Sequence, residues 1–297
     1  MYINHNQMAT NVANTLTSHY GNLQTSTQRL SSGLRVNSAA DDAAGLAIRE
    51  LMRSDIAALN QGVRNANDAI SLLQTADGAL GVIDEKLVRM KELAEQAATG
   101  TYDSTQRLMI ESEYQAMASE ITRIANSTDF NNIKLLDGNL SSDKHDGSGV
   151  TSTGKLKVHF GSANDSAEDY YYIQIGDSTA SALGVGSQAT RFTDESDART
   201  VSTQEAAQKA LVGINNAIVS KDKIRAHLGA LQNRLENTIT NLTTQAENLQ
   251  AAESRISDVD VATEMTQFVR NQILTQSAVA MLSQANSMPQ MAMQLIG

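Results

Sequence analysis

The chain has 297 residues with no Cys, no Trp, a single Pro and 4% aromatic residues, too little bulk for a wide globular core and no thiol for disulfide or zinc-ribbon chemistry. Its formal net charge of −10, from 33 acidic and 23 basic residues, excludes a nucleic-acid partner, because phosphate binding draws on a surplus of Lys and Arg. Leu, Ile, Val, Met and Ala must do the burying, which suits narrow helix-on-helix seams and disfavours a compact enzyme.

At the start, MYINHNQMATNVAN is polar and lacks the basic and apolar regions of a cleaved signal. No 18-residue apolar run predicts a membrane span, so no membrane insertion is expected. Residues 1–30 are softly amphipathic and rich in Asn, Thr and Ser. The stretch LSSGLRVNSAADDAAGLAIRELM, Leu30 to Met52, then reads as an interrupted helix: Gly33, Asn37 and Ser38 break it, and amphipathic spacing resumes at Leu46. Small residues surround the pair Asp41 and Asp42. Two adjacent carboxylates suit general acid–base work, but no His lies near them in sequence. The expected role is to cap and charge a helix beginning near Ala43, with ion pairs to Arg35 or Arg49.

From Ile56, apolar residues recur in steps of three or four through Leu59, Val63, Ala66, Ile70, Leu73, Ala76, Leu80, Ile83, Leu87, Met90, Ala94 and Ala97. That spacing predicts one helix of about 45 residues, which must lie beside other long helices to be buried. A second helix fits Ser104 to Ala125, with Gly100 and Asp103 marking the turn before it. The middle, Asp129 to Val201, changes character. Gly and Ser clusters separate short alternating runs such as LKVHF and YYIQI, which predict hairpins and loops. Ser141 to Gly154 is the candidate exposed tip.

The same helical spacing returns at Leu211, Ile214 and Ile218 and continues through Leu228, Leu231, Leu235, Ile239, Leu242, Ala246, Leu249, Ala252 and Ile256. Beyond it, Val261, Met265, Phe268, Ile273, Val279 and Leu282 form a stripe that needs a partner, and Met281, Met288, Met291 and Met293 add adaptable apolar surface. Alone, the two ends bury little, so the expectation is disorder in the monomer until neighbours supply the other face.

No cofactor or metal is expected. His5, His19, His145, His159 and His227 show no ligand spacing. DKHDG, Asp143 to Gly147, reads as a polar tip rather than a cation loop. Asn126, Asn139 and Asn241 head glycosylation sequons, a short pattern with a high chance rate.

Several ungapped blocks carry a resemblance along the whole chain: INHNQMAT (3–10), QRLSSGLRVNSAADDAAGLAI (28–48), TDFNNIKLLDG (128–138), HLGALQNRLENTITNL (227–242) and SQANSMPQMAMQLI (283–296). Together they resemble bacterial flagellin. The resemblance implies a mainly α fold: a long antiparallel helical bundle or coiled coil, paired N- and C-terminal helices, and a small β-hairpin region in the middle. It implies terminal helices 1–44 and 255–297 forming an inner filament core, a helical domain 45–254 with hairpins at about 129–200, and a short insertion, 139–157, in place of outer domains. It further implies a filament subunit exported unfolded, with no catalysis, and partners that are other copies of itself, an export chaperone on the C-terminal region, and filament-cap and hook–filament junction proteins.

Packing residues implied in this way are Leu30, Gly33, Ala43, Leu46, Ile48, Leu228, Leu231, Leu235, Val261, Met265, Phe268 and Leu282. RMKELAEQA (89–97) resembles the segment recognised by animal Toll-like receptor 5, which carries Arg89, Leu93 and Glu113 over as receptor contacts. Locally paired charges on a solvated helix face explain the same residues without a receptor. Asn132 departs from the family, which usually has Gly there. A junction protein shares similar ends, and a discrete coiled-coil adhesin would also explain long helices; the SAADDAAGLAI and LGALQNRL blocks favour the filament subunit.

Overall fold

The computed structural model describes residues 6–141, 154–163, 165, 169–186 and 199–296, with side chains described as far as residue 291. The tip at 142–153, with DKHDG and His145, lies outside the described residues, as does His5. Long helices dominate: α1 (Gln7–Ser32), α2 (Ala43–Ala98), α3 (Ser104–Ser127), α5 (Gln204–Ser257) and α6 (Val261–Ile296), with a single-turn α4 (Ala180–Leu183) between the hairpins and α5. The chain divides into two compact units, residues 1–56 with 246–297, and residues 57–245.

Within residues 57–245 the core follows a strict alternation. Ala66, Ala69, Leu73, Ala76, Leu80, Ile83, Leu87, Met90, Ala94 and Ala97 of α2 are all buried, in alternating steps of three and four that keep one seam facing its partner. The sequence reading chose Ile70; the seam takes the smaller Ala69, and Ile70 only flanks the core. On α5 the matching series is Ala207, Ala210, Ile214, Ala217, Lys221, Leu228, Leu231 and Leu235. Lys221 stands at an apolar position in this series, and its ammonium reaches Asp84 and Asp222. Four residues on, Arg225 Nε donates to Asp77 Oδ1 at 2.7 Å. Residue numbers rise along α5 as they fall along α2, so the two helices run antiparallel. A buried charge in an apolar seam fixes register, because any slip would strand it.

Arg107 of α3 donates to the carbonyls of Ala97 and Thr99 at 3.0 and 2.9 Å, satisfying the end of α2. After α3, β1 (Asp129–Phe130) pairs with β2 (Ile133–Lys134) across a two-residue turn. Both turn residues hold positive φ, 50° at Asn131 and 64° at Asn132. Asn tolerates that region well enough to keep the turn, so Asn132 in place of Gly leaves the hairpin standing. A 3-10 turn follows at Asn139–Ser141, and β3 (Leu156–His159) pairs antiparallel with β4 (Tyr170–Ile173). This second hairpin lies directly on α2. Asn65 Nδ2 donates to His159 O at 2.8 Å, and Gly62 sits so close that a Cβ there would lie 2.0 Å from the Phe160 carbonyl oxygen.

Candidate assembly surface

Residues 1–56 with 246–297 form a unit of different character. α1 and α6 pack on each other along their lengths, antiparallel, since Asn6 Nδ2 donates to Ala285 O at 2.8 Å while Val259 N donates to Gly33 O at 3.0 Å at the other end. The residues of α1 turned inward are Ala9, Val12, Leu16, His19, Leu23, Ser26 and Leu30; those of α6 are Glu264, Phe268, Asn271, Thr275, Ala278, Leu282 and Ala285. Both series again alternate steps of three and four, as a coiled-coil seam requires. Three of the seven α6 positions and two of the seven α1 positions are polar or charged; the buried members are Glu264, Thr275 and Ala285 of α6 and Ser26 of α1. No large aliphatic side chain of either helix is buried among the described residues.

The link between α1 and α2 is held by its own hydrogen bonds. Gly33 ends α1 at φ 74°, its N–H bonded to Arg29 O, a conformation that suits glycine because it lacks a Cβ. Leu34 bridges Asp258, Arg35 N donates to Ser257 O at 2.6 Å, and the Arg35 guanidinium donates to Ile256 O at 2.7 Å. The two acidic residues divide their labour. Asp42 Oδ1 accepts from Gly45 N at 2.8 Å and caps α2. Asp41 Oδ2 accepts from Ser38 Oγ and Ser38 N, both at 3.0 Å, and closes the loop. These Ser38 hydrogen bonds, with help from Asn37 and the Arg29 charge, hold the Asp41 carboxyl below its ordinary pKa of 3.8.

The cationic partner differs from the sequence expectation. Arg35 and Arg49 donate to carbonyls, Ile256 O and Val36 O, whereas Arg29 lies 3.9 Å from Asp41 and 3.8 Å from Glu264. The signal was present in the composition: Arg29 is the one charged residue in α1, and a lone cation in a helix's last turn is placed to meet carboxylates there.

The pair leaves large apolar side chains uncovered among polar ones. Met8, Tyr20, Val261, Met265, Val269, Ile273, Leu274, Val279, Met281 and Met291 are exposed, as are Ile48 and Leu51 at the start of α2. Of the packing residues proposed from sequence, Phe268, Leu282 and Leu30 lie on the α1/α6 seam, whereas Val261, Met265, Ile48 and Ala43 face outward and Leu46 is half-buried. Leu228, Leu231 and Leu235 lie in the core of residues 57–245. Sequence periodicity alone did not separate the inward row of α6 from the outward one, because large apolar residues stand both on the inward row, at Phe268 and Leu282, and outside it, at Val261, Met265, Ile273 and Val279.

On α2 and α3, the Arg89 guanidinium donates to Glu113 Oε1 at 2.8 Å and to Glu92 Oε2 at 2.9 Å. Hydrogen bonds to Glu113 and then Glu92 raise the already high pKa of Arg89. All three side chains are exposed. Leu93 is not: it is 1% exposed, beneath them in the core.

Among the described residues no cluster of His, Asp and Glu is placed to hold a metal, and no helix is long and apolar enough to cross a membrane. Long helix-on-helix seams and a terminal helix pair that leaves ten large apolar side chains exposed define a structural, self-associating helical protein. The pattern for the bacterial flagellin N-terminal helical region matches residues 3–141, and that for the C-terminal helical region matches residues 211–296. The flagellin of Bacillus subtilis strain 168 is 43% identical over all of both chains, and the flagellar filament 33 kDa core protein of Treponema phagedenis 40% identical over all of both. Against the crystal structure of Bacillus cereus flagellin the TM-score is 0.47 at 28% identity, over 64% of this chain and 94% of that one. The chain belongs to the bacterial flagellin family. It is a structural subunit that self-polymerises into the flagellar filament, and it is not an enzyme.

Proposed function

We propose that the outward faces of α1 and α6, with Ala43, Leu46 and Ile48 at the start of α2, are the surfaces through which successive copies stack into the filament's inner core. The observation that carries this is the exposure of ten large apolar residues on α1 and α6, eight of them on α6, while no large aliphatic side chain of either helix is buried in their mutual seam. Such a pair gains little from its own contact and much from neighbours, since each large aliphatic side chain buried contributes about 1.5–3 kcal/mol. Residues 1–44 and 255–297 therefore acquire stable order on assembly, and residues 139–157 stand where relatives with outer domains carry them.

The chain is secreted unfolded. An export chaperone covers the apolar C-terminal region until then, and cap and junction proteins meet the same ends. Contacts between copies are heterologous and do not close, which makes growth open-ended.

Removal of residues 1–32 or of residues 261–297 should abolish elongation from purified filament seeds, scored by electron microscopy. Long filaments from a chain lacking both segments would sink the proposal. The exposed ion pair Arg89–Glu113 is the proposed receptor contact for Toll-like receptor 5, with Leu93 supporting it from below. Arg89→Asp should lower receptor activation by monomer at least about tenfold, and unchanged activation would remove the assignment.

A further inference from the structure

Four of the uncovered side chains are thioethers: Met8 at 59% exposure, Met265 at 44%, Met281 at 58% and Met291 at 48%. Met8, Met281 and Met291 lie within about two helical turns of the Asn6–Ala285 hydrogen bond, so one end of the helix pair is surfaced by methionine. Met265 marks the other end. Met90, by contrast, is 0% exposed in the α2 seam. Methionine is a good filler for a surface that must fit several neighbours, and it is also the apolar side chain most easily made polar.

We propose that Met8, Met265, Met281 and Met291 form an oxidation site that decides whether a free subunit can join the filament. A peroxide transfers one oxygen atom to the thioether sulfur: the peroxide O–O bond breaks, an S=O bond forms, sulfur is oxidised, and hydrogen peroxide leaves as water. The product keeps its length but carries a strong dipole. Buried between apolar neighbours without a donor, that dipole opposes the contact. Only the free subunit is vulnerable, because stacking covers the four sulfurs. The inference rests on the stacking surface proposed above and adds a chemical control to it.

The test treats intact monomer with hydrogen peroxide, maps the added oxygen by mass spectrometry and measures elongation on untreated seeds. Oxygen should appear at the four methionines and at Met109, which is 69% exposed on α3, and not at Met90. Elongation should slow at least about tenfold, since four stranded polar groups together cost more than the free energy of a factor of ten. Methionine sulfoxide reductases should restore it. In assembled filaments under the same treatment the four should remain unoxidised.

Leu replaces Met with little change of volume and has no sulfur, so the fourfold variant M8L, M265L, M281L, M291L should elongate at its own untreated rate after peroxide. Equal slowing of that variant and the wild type would overturn the proposal, and so would wild-type elongation unaffected by complete oxidation. If the fourfold variant does not assemble even untreated, single Met→Gln variants, which add polarity at similar length, take its place. At least one must slow elongation, and wild-type rates in all four would overturn the proposal. Long filaments from a chain lacking residues 1–32 and 261–297 would instead sink the stacking surface itself.

Discussion

Gly62 illustrates how one missing side chain positions a hairpin. A Cβ at this position would stand 2.0 Å from the carbonyl oxygen of Phe160, and a backbone oxygen cannot swing aside as the end of a long side chain can. The neighbouring Asn65 amide grips His159 O on the same helix face, so moving the hairpin away would cost a hydrogen bond as well as packing. Gly62→Ala should therefore destabilise residues 57–245 by about 2–4 kcal/mol despite the better helix propensity of Ala, which offsets at most about 1 kcal/mol. Thermal or denaturant unfolding of the monomer measures this; a variant as stable as wild type would show that the hairpin shifts freely. In the sequence Gly62 was silent, one glycine within a helical pattern, because its partner lies in a distant segment. Asp42 was legible, since an acidic residue before a resumed apolar period is a local signal for a helix start. The partner of Asp41 left a weaker signal, a lone cation in the last turn of α1, because Arg29 reaches Asp41 only once α1 has turned at Gly33.

At the level of elements, periodicity served well where one face was apolar and poorly where it was not. The α2 periodicity was readable from Ile56 and the helix start near Ala43 from its acidic cap; the structure joins the two in one helix, Ala43–Ala98, because the small-residue segment after Asp42 continues it without a break. The spacing read from Leu211 to Ile256 is one helix, α5 (Gln204–Ser257), and Lys221 takes a seam position within it without interrupting the backbone. The α1/α6 pair was the hardest to read, because its interface mixes polar residues with apolar ones while other large apolar residues face outward. The polar members of the seam have an energetic consequence. Thr275 is buried in the seam, its hydroxyl spent on the Asn271 carbonyl one turn back, a group that the helix backbone already uses. Thr275→Val keeps the branched shape and adds apolar contact, so it should stabilise the helix pair in the monomer by about 1 kcal/mol. Amide exchange in residues 7–32 and 261–291 should slow several-fold while exchange in the α2/α5 seam stays unchanged. Unaltered or faster exchange in the terminal helices would mean that the pair is not limited by its polar seam.

For the whole molecule, charge and apolar surface occupy different segments. Arg29 is the one charged residue in α1, and Glu264 and Arg270 are the charged residues of α6, so the acidic excess behind the net charge of −10 lies entirely outside these helices. Stacking of the kind proposed above, through nearly uncharged ends, would bring the acidic remainder of each subunit beside that of its neighbours. Attraction between the terminal helices and repulsion between those remainders would then depend differently on solution conditions. The Debye length is about 30 Å at 0.01 M salt and about 8 Å at 0.15 M, so repulsion between neighbouring subunits reaches across a subunit in the first case and hardly beyond contact in the second. Burial of the terminal helices responds little over that range, because it carries almost no charge. Filaments should therefore dissociate at a lower temperature in 0.01 M than in 0.15 M salt, followed by light scattering during heating. The unfolding temperature of the monomer should differ far less between the two conditions, since its internal ion pairs, Arg225–Asp77 among them, are weakened by salt as its net repulsion is relieved. Equal heat stability of the filaments at both ionic strengths, or an equally large shift in the monomer, would show that repulsion between subunits does not limit the polymer.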